Sequence, residues 1–186
     1  MTVSPRITPV HRRAFTLVEV VATIVVLATI GTVASGILFT ATDGYLEARM
    51  TAQLHSELSI AMDRIVRELR NIQLDDTADD VAPDIDAVTA TSITWDDDYV
   101  IALSGSDLML TIDGGAAAVL LSDVTSFTIQ GYDEDNSELA ATLNGDDCDD
   151  IRRASISVTI ERSGVSETLR SKVFIRSTMH GAGSGE

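Results

Sequence analysis

Residues 15–39 are a run of 25 in which Glu19 carries the only charge. Fourteen of them are Phe, Leu, Ile or Val, together worth about 4–8 kcal/mol toward membrane insertion. An acid at the centre of a spanning helix costs about 2.5–3.5 kcal/mol and less near an end, so the run inserts despite Glu19. As a helix it extends about 37 Å, enough to cross a hydrocarbon core of about 30 Å with some tilt. The leader at residues 1–14 holds Arg6, Arg12 and Arg13 and no acid. That bias puts the leader on the cytoplasmic side and sends the chain after Phe39 outward. What remains to be explained is an acid in a segment that would insert better without it.

Plain readings are available. Thr16 and Glu19 have the spacing of a capping box, in which the acid satisfies amides at a helix start. A secretory signal cut near residues 34–41 would need a shorter apolar core, of about 7–15 residues. A simple single-pass anchor is the third.

Against these stands a more specific pattern. Ala14-Phe15-Thr16-Leu17-Val18-Glu19, behind a basic leader, resembles the class III signal of type IV pilins and pseudopilins. The resemblance implies that prepilin peptidase cuts between Ala14 and Phe15 and that Phe15 becomes an N-methylated amino terminus. It also implies that Glu19 guides assembly by meeting the positive terminus of a neighbouring subunit within the lipid phase. The pairing has a physical basis, since a carboxylate persists in such surroundings where a cation compensates it. The family usually has Gly before the cut; Ala14 is also small, and the departure implies slower processing.

At 186 residues the chain has room for one membrane helix and one globular domain of about 100–130 residues. Its formal net charge is -16, or -19 without the three leader arginines. Between Asn71 and Ile151 there are twenty Asp and Glu and no Lys or Arg. Nucleic acid is not an expected partner, because phosphate binding needs clustered cations. Cys148 is the single cysteine, so no intrachain disulfide can form and the domain depends on its core. It sits in Gly145-Asp146-Asp147-Cys148-Asp149-Asp150, where carboxylates disfavour a reactive thiolate.

Beyond the apolar run, Leu46, Met50, Leu54, Leu58, Ala61, Ile65, Leu69 and Ile72 recur every three or four residues. This predicts an amphipathic helix that continues the first over residues 40–74. Arg64, Arg67 and Arg70 suit its carboxyl end, while Asp75 and Asp76 oppose continuation. Asp43-Gly44 is the weak point, being also a turn signal. Ala28, Thr32, Gly36 and Thr40 place small residues on one face, which permits close helix approach in lipid. Residues 75–86 read as a loop and residues 75–176 as a globular β-rich domain. Strands are expected at residues 92–95, 99–103, 107–112, 117–121 and 125–129. Residues 134–150 read as an acidic loop. Alternation then predicts a hairpin, with Ala154, Ile156, Val158 and Ile160 facing inward on one arm and Leu169, Val173 and Ile175 on the other. The tail at residues 177–186 is expected to be disordered.

The predicted class is α+β, an amino-terminal helix whose second half packs on an antiparallel sheet, which is the pilin-like layout. Residues 62–71, the strand at 92–95 and the last hairpin are further similar to J-type minor pseudopilins of type II secretion and related minor pilins. That likeness implies a structural subunit of a pseudopilus or type IV pilus, at or near its tip. Expected partners are prepilin peptidase, other minor pseudopilins or pilins, the assembly platform, and membrane lipid before assembly. The location implied is the inner or cytoplasmic membrane, then the filament.

No catalytic constellation, phosphate loop or zinc spacing is legible, and neither enzyme activity nor a cofactor is expected. His11, His55 and His180 stand apart from any nucleophile motif. Asp133 and Asp135, in Asp133-Glu134-Asp135-Asn136-Ser137-Glu138, are calcium candidates, although the loop lacks the glycine and the final acid of an EF-hand. The alternative function is a membrane-tethered or secreted acidic module that captures calcium or a basic ligand.

Overall fold

The computed structural model describes residues 16–76, 78 and 81–179. The expected leader, the cut at Ala14 and Phe15, and most of the tail lie outside the described residues. The chain has the α+β pilin-like layout: among the described residues one long helix, α1 (Leu17–Arg70), is followed by nine strands. It divides at Leu46 into two units.

In the first unit every described residue is solvent-exposed. Thr16 starts the helix, its carbonyl accepting from the Glu19 and Val20 amides at 3.1 and 3.2 Å. Asp43 and Gly44 are helical and do not turn the chain; without a proline there, helical hydrogen bonding outweighs the local turn preference.

In the second unit α1 buries Leu54, Leu58, Ala61, Met62, Ile65 and Leu69, one stripe at helical spacing. Met50 is half-buried beside it, whereas Leu46, assigned by periodicity to the same stripe, is exposed. The helix ends four residues before Leu74. Asn71 closes the last turn on the Glu68 carbonyl at 2.9 Å, and Leu74 then bridges Pro83.

The strands are β1 (Ile85–Thr89), β2 (Ser92–Trp95), β3 (Tyr99–Ser104), β4 (Asp107–Thr111), β5 (Ala118–Leu121), β6 (Val124–Tyr132), β7 (Leu143–Asn144), β8 (Arg153–Arg162) and β9 (Val165–Phe174). They make two antiparallel sheets where one was expected, ordered β5-β4-β3-β2-β1-β7 and β6-β8-β9. The first grows as a meander because its turns are short. At the β4–β5 connection Asp113 and Gly114 both have positive φ, which favours glycine at the second position, and a Cβ there would also push the exposed Asp98 carboxylate aside. The β8–β9 hairpin closes through Ser163-Gly164, both left-handed, as a two-residue turn requires.

The sheets meet α1 in one core. Ile101 and Leu108 come from the larger sheet, Phe127, Ile156, Val158 and Ile160 from the smaller, and Leu54, Leu58 and Ile65 from the helix. Alternation along β8 is complete from Arg153 to Ile160. Arg162 ties the layers at one side, its Nε 2.8 Å from Asp123 and its Nη1 3.2 Å from Glu57 on α1.

Candidate functional site

Two regions stand out, one in each unit. In the first, a helix long and apolar enough to cross a membrane has none of its apolar stretch buried by protein. Leu17, Ile24, Leu27, Val33, Leu38 and Phe39 are all exposed. Such a surface calls for lipid or other apolar helices around it.

Its polar groups are arranged for that environment. Six hydroxyls follow Leu17 within the run and its edge, and each donates to a carbonyl three or four residues back. The pairs are Thr23 to Val20, Thr29 to Val26, Thr32 to Ala28, Ser35 to Gly31, Thr40 to Gly36 and Thr42 to Leu38, at 2.8 to 3.1 Å. None of these six hydroxyl donors is left to be desolvated without a partner. Thr32, Gly36 and Thr40, three of the four small residues singled out by spacing, line one shallow groove with Val33 and Ile37.

Glu19 is different. Its amide donates to the Thr16 hydroxyl at 3.3 Å, so Thr16 caps the helix. The reciprocal half of a capping box, the carboxylate accepting from the Thr16 amide, is not formed, and the carboxylate has no partner among the described residues. The cap is thus made by Thr16 and leaves the acid unexplained.

In the second unit charge is segregated. Burial first, then Asp96, Asp86, Asp75 and Asp97, raise the Asp84 carboxyl above the usual range. Burial first, then Asp146, Asp75 and Asp150, raise Asp149, with Arg152 opposing. Cys148 is buried under this patch, its thiol pushed up to about 11 by burial and by Asp149 and Asp147. The acidic surroundings foreseen from sequence thus keep the thiol protonated, and burial, which sequence did not supply, is the larger cause.

The calcium candidates do not converge on a common centre. Asp133 Oδ1 accepts the Ser137 amide at 2.7 Å, and the neighbouring Asn136 Oδ1 accepts from Arg153 at 2.8 Å and Lys172 at 3.1 Å. Two cations therefore face this loop. Among the described residues no three Asp, Glu, His or Cys groups are placed to share a metal ion. His55 is exposed on α1, and His11 and His180 lie outside the described residues. The Trp95–Tyr99 connection is the expected turn, with Asp96 and Asp97 left-handed and the two rings stacked at 5.5 Å.

One groove was not anticipated. Arg67 and Arg70 from the last turns of α1 meet Arg176, which follows β9, in a cleft of about 330 Å³ also lined by Asp63, Val66 and Asn71. Helical spacing brings the first two together; the third arrives through a pairing distant in sequence, for which single-sequence periodicity carries no signal.

No protein-family model matches the chain. No curated protein matches it closely enough to be counted a relative.

Proposed function

We propose that the chain is a structural subunit of the pilin and pseudopilin type, held in the inner or cytoplasmic membrane by residues 15–39 and built into a filament after cleavage before Phe15. The observation that carries this reading is the carboxylate of Glu19, which has no partner among the described residues, on an apolar helix whose six later hydroxyls all donate to carbonyls. A lone carboxylate in lipid needs a cation from outside the segment, and the new amino terminus of a neighbouring subunit supplies one. The pilin-like layout supports the same reading. Prepilin peptidase, the assembly platform and other pilin-type subunits are the partners it entails. The J-type likeness favours a minor subunit at or near the tip. The action is associative, and no reaction is assigned.

The test is mass spectrometry of the mature amino terminus, taken from membranes of a host with a prepilin peptidase. A terminus at Phe15 carrying one methyl group supports assembly. An intact leader, or a terminus within residues 34–41, would transfer the assignment to an acidic binding module.

A further inference from the structure

The arginine groove and the acidic patch are surfaces of opposite charge on one unit. Arg67, Arg70 and Arg176 are exposed, and none forms an ion pair among the described residues. By contrast Arg64 pairs with Glu68 at 2.8 Å and Arg162 with Glu57 and Asp123. Three unpaired guanidinium groups around one cleft are notable on a chain of net charge -16. Two of them favour the negative end of the α1 dipole, which accounts for their presence on that turn but not for Arg176 joining them.

The carboxylates are gathered at the same end of α1. The Asp84 amide donates to the Gln73 carbonyl at 3.0 Å, three residues past the helix, and the Asp96 amide to the Asp84 carbonyl at 3.3 Å. The Asp97 amide donates to Asp86 Oδ2 at 3.1 Å. Residues 146–150 close the patch, with Arg152 Nη1 donating to the Asp149 carbonyl. Arg152 in turn pairs with Ile175, the neighbour of Arg176. Basic groove and acidic patch are therefore both tied by hydrogen bonds to the chain around the carboxyl end of α1 and the end of β9.

Each copy thus carries a basic and an acidic face on the same unit, and copies held in one membrane meet at a raised effective concentration. We propose that the arginine groove of Arg67, Arg70 and Arg176 docks the acidic patch around Asp146, Asp147 and Asp150 of a second copy of this chain. The contact is heterologous, groove to patch, so it repeats from copy to copy and propagates a row or a helix of subunits. It relieves the carboxylate crowding within the patch, and anchorage in one membrane raises the effective concentration that weak exposed ion pairs need. The inference rests on the filament reading but departs from it at one point: a repeating contact suits a stacked subunit better than a solitary one at a tip.

The test uses the full chain in phosphatidylcholine vesicles, labelled in two populations with donor and acceptor dyes. Variants are Arg67→Glu/Arg70→Glu/Arg176→Glu and Asp146→Lys/Asp147→Lys/Asp150→Lys, all at exposed positions. Energy transfer between wild-type copies is expected at about 0.1 M salt and should fall as screening shortens the range of the charges. Each variant alone should associate at least about tenfold more weakly, and a mixture of the two should recover transfer, because opposite faces again match. Recovery also establishes that both variants fold. The proposal is overturned by wild-type copies that do not associate, by variants that associate as wild type does, or by a mixture that stays dissociated. Recovery with an uncut leader in cells would leave the contact standing and remove the filament reading; a methylated Phe15 without recovery would do the reverse.

Discussion

Glu19 is an exposed acid on the membrane helix and Cys148 a buried one in the globular unit, and they separate cleanly in what they predict. Glu19 offers a carboxylate with no partner of its own among the described residues, so its removal should not weaken the helix. We expect Glu19→Ala to insert at least as well as the native chain, since a cost of about 2.5 kcal/mol or less disappears, yet to be lost from assembled filaments. Fractionation of sheared filaments against membranes checks this, and equal recruitment of the variant would end the assembly role of Glu19. Cys148 is silent chemistry. Its thiol is raised to about 11, so the neutral form is favoured in the fold, the associated stability is complete below the unfolded value near 9.0, and it is lost as pH climbs through 11. At about pH 8 the native thiol should alkylate at least about 100-fold more slowly than the unfolded one, from the thiolate fraction alone. Iodoacetamide labelling followed by intact-mass measurement gives the two rates, and near-equal rates would show the thiol to be accessible and unshifted.

At the scale of elements, the second half of α1 is held by its buried stripe. Leu58 is 1 % exposed, whereas Ile60, two residues on, is 69 % exposed. Leu58→Ala should cost about 2–5 kcal/mol through lost contacts and a residual cavity, and Ile60→Ala should stay within about 0.5 kcal/mol. Denaturant titration of the full chain in detergent reads both, and similar costs would mean that the helix does not bury the face assigned to it. This stripe was legible in the sequence because a 3.6-residue period survives on a straight element, and so were the strands whose alternation is unbroken, β8 above all. Where the period breaks, legibility goes. In β1 the buried residues Ile85 and Val88 are three apart, because the strand shifts register between Ile85 and Ala87, and the pattern no longer alternates. β7 has two residues and forms only by pairing with β1, so it carries no pattern of its own. The division into two sheets, and the arrival of Arg176 beside Arg67 and Arg70, depend on pairings between distant segments and have no local trace. Glu19 was visible at once, yet whether it caps the helix or stays free was a matter of geometry that spacing left open.

For the molecule as a whole, charge is the dominant variable. The twenty acids between Asn71 and Ile151 have no Lys or Arg interleaved, and the fold concentrates several of them around Asp84 and Asp149, both raised by burial and by their neighbours. A carboxylate raised in the folded state binds protons there that the unfolded chain has already released. Stability therefore falls as pH rises through the folded value and increases on acidification toward the unfolded one. The thermal midpoint of the full chain in a neutral detergent should accordingly be higher at about pH 5 than at about pH 7.5, against the usual expectation for a domain held by carboxylate ion pairs. Adding salt to about 0.5 M at the higher pH should move the midpoint in the same direction, because the ions screen the same self-repulsion, and should do less at the lower pH, because acidification and screening weaken one and the same repulsion. A midpoint that drops steadily from pH 7.5 to 5 would assign the net electrostatic contribution instead to pairs such as Arg162 with Asp123 and Glu57. With the repulsion that the structure arranges, the isolated subunit is less stable in neutral, dilute solution than at about pH 5. A neighbour that brings arginines to the patch then stabilises the fold as it binds, so assembly and domain stability become one linked equilibrium.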